Sequence, residues 1–303
     1  MNVRSILQSV IFGFAAALLL ASCQTGPSIV KEKSDVFIKD GVDIPADLTG
    51  ENSKLKENVI LLDARPAFVA AVSPFRQAQT LDWHDFTRRV PPSPNSLEGD
   101  LYFHARRLAR MGIAPDSKVL VLGRGIDGDG EEGRLAWTLR YLGVIKVGIA
   151  NLEELRPQMQ QADSAPPKEV PIWKPELNEL LLETRSEFYE RVRAGEKFFI
   201  LEIGQIPWPS SMKFGAAEKI QIPNVDLLRK SEGKAAELKA LIPEAAVGAP
   251  IVVVDNTGEL AAYATVKLRD LGFNASCACS GWKDLSPEGA NQIRKKKTIP
   301  PAQ

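Results

Sequence analysis

The chain has little of the chemistry that most metal sites and disulfide scaffolds need. It holds three cysteines and two histidines. That count excludes a disulfide-dense scaffold and a zinc ribbon. Histidine-based catalysis can draw on nothing beyond His84 and His104. Charge of either sign is not in excess, with Lys plus Arg at 38 and Asp plus Glu at 38. A dedicated nucleic-acid binder needs a basic surplus to neutralise phosphate, so that class is excluded. Beyond the N-terminus no apolar run approaches the ~18 residues that a spanning helix requires. What is present is ordinary for a soluble globular protein: 303 residues, 44% hydrophobic and 25% charged. Such a length holds about two domains of roughly 100–200 residues each.

The first residues carry Arg4 and then an apolar stretch from Ile11 to Ala21, the pattern of an export signal. Leu20-Ala21-Ser22-Cys23 resembles the lipobox of bacterial lipoproteins. That resemblance implies cleavage before Cys23 and lipidation of Cys23. The competing reading is an ordinary signal cut near Ala21. With Gln24 rather than Asp after the cysteine, the resemblance implies the periplasmic face of the outer membrane. The expected organisation is a signal peptide over 1–22, a tether over 23–54 and a first domain over 55–160. A Pro-rich linker over 161–175, a second domain over 176–290 and a basic, Pro-containing tail over 291–303 follow.

Short apolar runs recur along the body: Val59 to Leu62, Val119 to Leu122, Val144 to Ile149, Phe198 to Leu201, Ile251 to Val254 and Phe273 to Cys277. They lack polar alternation, which suits parallel strands covered on both faces. Between them, Gly133 to Leu142 sets Leu135, Leu139 and Leu142 on one helical face. Glu259 to Leu271 does the same with Leu260, Ala264, Leu268 and Leu271. Gly143 and Gly272 stand where such helices stop. Strand and helix alternate, which predicts an α/β fold. The order of features in the first half repeats in the second, as expected of a duplicated domain.

Several segments carry a family resemblance. Leu61-Leu62-Asp63-Ala64-Arg65 is similar to the hydrophobic–Asp–x–Arg signature that opens a rhodanese domain. Leu81 to Phe86 and Ile222 to Leu228 resemble the segment after its Gly-His-Ile-Pro-Gly-Ala motif. Val119 to Gly123 and Ile251 to Gly258 resemble the active-site strand and loop, and Ser280-Gly281-Trp282 resembles the closing motif. The chain thus resembles tandem rhodaneses, which are thiosulfate or 3-mercaptopyruvate sulfurtransferases. The implied fold is two rhodanese-like domains, each a mostly parallel sheet with helices on both faces.

The family reaction runs through a cysteine persulfide, on a loop whose amides and helix N-terminus stabilise anionic sulfur. The resemblance places that nucleophile at Gly123 in the first half and at Asp255 in the second. Neither is a thiol, and a carboxylate cannot form a persulfide. Other landmarks also depart. Ser73 to Ala78 and Phe214 to Lys219 replace the Gly-His-Ile-Pro-Gly-Ala segment, and Glu202-Ile203-Gly204 loses the Arg.

The remaining candidates are few. Asp255, Asn256, Thr257 and Gly258 form a candidate binding loop, with Asp255 an N-cap-like anchor for the helix at Glu259. Asp127, Asp129 and Glu131, with Glu132, make a weak hard-cation pattern or a solvated acidic loop. Cys277 and Cys279 are a displaced redox or sulfur-carrying pair, a disulfide, or two buried apolar residues. On an extended strand their Cα atoms would be about 6.6 Å apart, near the upper limit for bridging. His84 and His104 are expected in surface or packing roles. No cofactor is implied. The expected partners are the membrane, through Cys23, and an unidentified protein or small molecule. The expected function is binding or scaffolding without sulfurtransferase activity. The alternative is a sulfurtransferase or thiol-redox enzyme using Cys277 or Cys279.

Overall fold

The computed structural model describes residues 36–39, 42–45, 59–87, 96–97, 99–153, 155, 168–222 and 234–286. Cys23, the export segment, most of the Ile222 to Leu228 stretch and the basic run at Arg294 to Lys297 lie outside them. In the stretch read as tether, β1 (Val36–Lys39) and β2 (Val42–Pro45) pair antiparallel, Val36 opposite Pro45.

The first sheet holds β3 (Val59–Asp63), β4 (Gln79–Thr80), β5 (Lys118–Gly123) and β6 (Lys146–Asn151). The second holds β7 (Phe199–Ile203), β8 (Glu218–Ile222), β9 (Pro250–Val254) and β10 (Asn274–Cys277). All pairings within both sheets are parallel. Spatial order is β4-β3-β5-β6 in one and β8-β7-β9-β10 in the other. Each sheet therefore runs second, first, third, fourth, and the chain is two copies of one α/β topology.

The helices are α1 (Ala67–Val72), α2 (Leu101–Arg110), α3 (Glu131–Tyr141), α4 (Arg185–Ala194), α5 (Lys234–Leu241), α6 (Glu259–Asp270) and the short α7 (Trp282–Leu285). Side chains on successive strand residues bury on opposite faces, as the pleat requires. Leu62, Val119 and Val121 join a core that also takes in Leu201, Val253 and Cys277. Leu61, Leu120 and Leu122 pack on the far face of the first sheet, and Ile200, Val252 and Val254 on the far face of the second. Burial on both faces explains why these strands read as continuous apolar runs.

α3 and α6 run against each other at the centre of the molecule. Their contact depends on Gly133, where an added Cβ would fall 2.1 Å from Tyr263 Cδ2. At their C-terminal ends Arg140 Nη1 donates to Asp270 Oδ1 at 2.6 Å. The last turns also match. Arg140 Nε donates to the Val147 carbonyl on β6, and Arg269 Nε to the Ala275 carbonyl on β10. The described part of the expected linker, 168–175, holds no helix or strand and is tied to the first half. Val170 N donates to Ala109 O and Trp173 Nε1 to Ile113 O, and just beyond it Asn178 N donates to Tyr141 O.

Candidate functional site

Asp255 follows the last residue of β9, at the carboxyl end of a central strand, where open α/β sheets place ligands. The chain must then reverse into α6 within a few residues. Gly258 makes the turn with φ 93°, a left-handed conformation that L side chains rarely adopt. Any side chain there would also meet the Cys279 carbonyl oxygen at 2.0 Å. The turn aims its amides inward at the Asp255 carboxyl. Oδ1 accepts from Gly258 N–H, and Oδ2 accepts from Leu260 N–H at 3.0 Å. Asp255 is 2% exposed. Burial raises its proton affinity above the ordinary carboxylate range, opposed by the amides of Gly258, Leu260 and Ala261 and by the Arg134 charge. The cradle of amides is therefore occupied by the chain's own side chain. Asn256 and Thr257 stand on the exposed rim of the loop.

The first half builds a related arrangement from different residues. Gly123 ends β5, and Gly130, whose φ is also 93°, caps the start of α3. Gly123 has no side chain to offer the loop. The space is filled instead by Glu132, whose Oε2 would lie 2.0 Å from a Cβ on Gly123. Glu132 is 1% exposed, and burial, reinforced by the neighbouring Glu131 charge, pushes its carboxyl up to about 8. The Gly125 backbone donates to it and works in the opposite direction. Glu131 is also buried. Its Oε1 accepts from Arg124 Nε at 2.7 Å and its Oε2 from Asp129 N at 2.8 Å.

The expected solvated acidic loop is thus corrected in half its members. Asp127 and Asp129 are exposed, while Glu131 and Glu132 fold inward. The weak cation pattern does not assemble, because Glu131 is committed to Arg124. Among the described residues no group of three or more His, Cys, Asp or Glu is placed to hold a metal ion.

The two loops adjoin. A Cβ on Gly130 would touch the Leu260 side chain at 3.2 Å. Arg134, on the first turn of α3, is 1% exposed, and its guanidinium lies 5.4 Å from the Trp83 ring centroid and 4.9 Å from that of Trp137. Burial lowers its pKa to about 10, against the attraction of Asp255 and Glu259 in the other half. His84 stacks on Trp83 and bonds Asp82 through Nδ1 at 2.7 Å, and His104 is fully buried beside Phe86.

The Asp63 to Arg65 signature is a buried bidentate pair, with Nε to Oδ1 at 2.9 Å and Nη2 to Oδ2 at 2.7 Å. In the second half Glu202 stands in the position of Asp63. The cation missing from its own segment comes from β8, with Lys219 Nζ 2.9 Å from Glu202 Oε1. Trp208 Nε1 donates to the same oxygen at 2.8 Å.

Cys277 and Cys279 form a disulfide, with Cα atoms 5.0 Å apart. This corrects the spacing expected of an extended strand. β10 ends at Cys277, and the chain leaves the strand at Ala278 and turns at Cys279 and Ser280, which brings the two cysteines closer. The segment lies directly against the Asp255 loop. Ala278 N donates to Val253 O, and Trp282 N to Asp255 O, both at 3.0 Å.

On the other side of the disulfide is a cavity of about 360 Å³. Its walls come from both halves and include Arg134, Trp137, Tyr141, Arg185, Cys279 and Gly281. The Asp255 loop does not line it. Nothing in the sequence marked this cavity, since its walls are drawn from segments far apart in the chain.

No protein-family model and no curated protein matches the chain. Solved structures do match in fold. A probable thiosulfate sulfurtransferase aligns at 18% identity, over 78% of this chain and 97% of its own, with a TM-score of 0.54. The 3-mercaptopyruvate sulfurtransferase SseA of Escherichia coli aligns at 18% identity, over 73% and 91%, with a TM-score of 0.55. The Tum1 protein of Saccharomyces cerevisiae aligns at 16% identity, over 81% and 91%, with a TM-score of 0.54. The chain therefore has the fold of two rhodanese-like domains, and its structural neighbours are rhodanese-fold sulfurtransferases.

Proposed function

We propose that this is a lipid-anchored protein of the cell envelope whose two rhodanese-like units bind or scaffold a partner without transferring sulfur. One observation carries the reading. The amides at the end of the second central strand are engaged by the Asp255 carboxyl, at the position to which the resemblance assigns the thiol. Sulfur transfer needs a thiolate to hold the sulfur as a persulfide. It also needs amides free to receive anionic sulfur. Asp255 supplies no thiolate and occupies the amides. In the first half Glu132 takes the equivalent space beside Gly123.

The anchor reading rests on Cys23 in its lipobox-like setting. The outer-membrane face follows from Gln24. Among the described residues no helix is long and apolar enough to cross a membrane.

The deciding experiment is a thiosulfate-to-cyanide sulfur-transfer assay on the full chain, with intact-mass detection of persulfide. The expected result is no turnover and no added sulfur. Turnover that disappears in Cys279→Ser would replace this reading with sulfur transfer through the cysteine pair. Lipidation is checked by Cys23→Ala, which should move the protein from the membrane to the soluble fraction.

A further inference from the structure

We propose that the Cys277–Cys279 disulfide is a redox site that exchanges with a low-molecular-weight thiol admitted through the cavity between the two halves. The inference does not rest on silence at Asp255, because thiol exchange involves neither that carboxyl nor a persulfide.

The pair is asymmetric in a way that directs the chemistry. Cys279 lines the cavity, while Cys277 does not and is fully buried. Cys277 Sγ lies 4.0 Å from the Gly258 carbonyl oxygen. In the proposed exchange the incoming thiolate attacks Cys279, and Cys277 is the leaving group. Cys279 is 3% exposed and lines a cavity of about 360 Å³, so the reactant in this proposal is a small thiol.

The bond is also poorly suited to act as a structural staple. It closes a ring over one intervening residue, and short rings remove much less chain entropy from the unfolded state than long ones. The backbone around it is already held. Cys277 is in register with Val253 on β9, its carbonyl accepts from Glu183 N at 3.0 Å, and Ala278 and Trp282 are bonded to the Asp255 segment. Opening the bond therefore leaves the local fold in place.

The steps balance. A thiolate RS⁻ attacks Cys279 Sγ, an R–S–S–Cys279 bond forms, and the bond to Cys277 breaks. The electron pair leaves on Cys277 sulfur, which takes a proton and can donate its S–H to Gly258 O. A second RS⁻ attacks the R sulfur of the mixed disulfide. This releases RSSR and leaves Cys279 as a thiolate that takes up a proton. Two small thiols are oxidised to one disulfide while the protein disulfide is reduced to a dithiol, and RSSR drives the reverse.

The probe is glutathione, applied to the folded full chain over a series of reduced-to-oxidised ratios. Alkylation, intact mass and peptide mapping then separate Cys277 and Cys279 from Cys23. The wild type should pass from disulfide to dithiol without denaturant and with unchanged circular dichroism. Folded Cys277→Ser should trap a glutathione adduct on Cys279, whereas folded Cys279→Ser should leave Cys277 unmodified. Three results would each overturn the proposal. The wild-type disulfide opens only after unfolding, folded Cys277→Ser takes no adduct, or Cys277 in the Cys279→Ser variant is modified as readily as Cys279.

Discussion

At the scale of the residue, the two buried acids are the informative groups. Asp255 is held by the amides of Gly258 and Leu260. Asp255→Ala strips the acceptor from the N–H groups of Gly258 and Leu260, and leaving such groups unsatisfied costs about 1–3 kcal/mol. Urea unfolding should show a loss of that size, and unchanged stability would contradict the assigned role.

Glu132 behaves differently, because its folded-state pKa is raised to about 8 against 4.5 for the free group. Between those values the folded chain keeps a proton that the unfolded chain has released. Stability therefore falls as pH rises through this window, by on the order of 1 kcal/mol per pH unit. Glu132→Gln has no proton to release. Its melting temperature should pull progressively ahead of the wild type from about pH 5 to about pH 8. A difference that stays constant over this range in thermal melts would show that Glu132 is already ionised in the fold.

At the scale of the element, what the sequence revealed depended on how many faces an element buries. β5, β7 and β9 are covered on both sides, so Val119 to Leu122, Phe199 to Leu201 and Ile251 to Val254 stand out as apolar runs. β8 reads Glu-Lys-Ile-Gln-Ile at a sheet edge and buries Ile220 and Ile222 alone, so no run announces it. β4 is two residues long and carries no pattern at all. The Asp255 cap could be read from its sequence because Asp-x-x-Gly before an apolar helix is local chemistry. The inward turn of Glu131 and Glu132 could not, because it depends on the space left by Gly123 and on the Arg124 partner.

Gly133 is the element-level weak point. A methyl group there would lie 2.1 Å from Tyr263 Cδ2 and 2.4 Å from Tyr263 Cβ. The ring can swing away but Cβ cannot, so α3 and α6 must move apart. Gly133→Ala should destabilise by about 1–3 kcal/mol, the usual cost of overpacking. Tyr263→Ala should rescue it incompletely, and a double-mutant cycle on denaturation midpoints measures the shortfall. Full rescue would place the clash in the ring alone.

At the scale of the molecule, the question is whether the duplicated units still behave as two. Their sheets are separate, with no strand shared between them. Their interiors are not separate. One apolar core runs from Leu62 and Val121 in the first unit, through Leu135 and Leu139 on α3 and Ala261 and Ala264 on α6, to Val253 and Cys277 in the second. Arg134, buried on α3, sits among first-half tryptophans and feels Asp255 and Glu259 of the second. At the far end of the same helix pair, Arg140 and Asp270 close the contact with two hydrogen bonds. Unfolding one unit alone would expose the apolar faces of α3 or α6 and leave these groups without their counterparts. Apolar area exposed costs about 25 cal/mol per Å², so a half-unfolded state is strongly disfavoured. Calorimetry should therefore record a single transition with calorimetric and van't Hoff enthalpies in agreement. Asp270→Ala should lower its midpoint without splitting it, because the apolar seam remains. Two resolved transitions in the wild type would mean that the units kept the independence their separate sheets suggest. The shared core would then be contact without coupling.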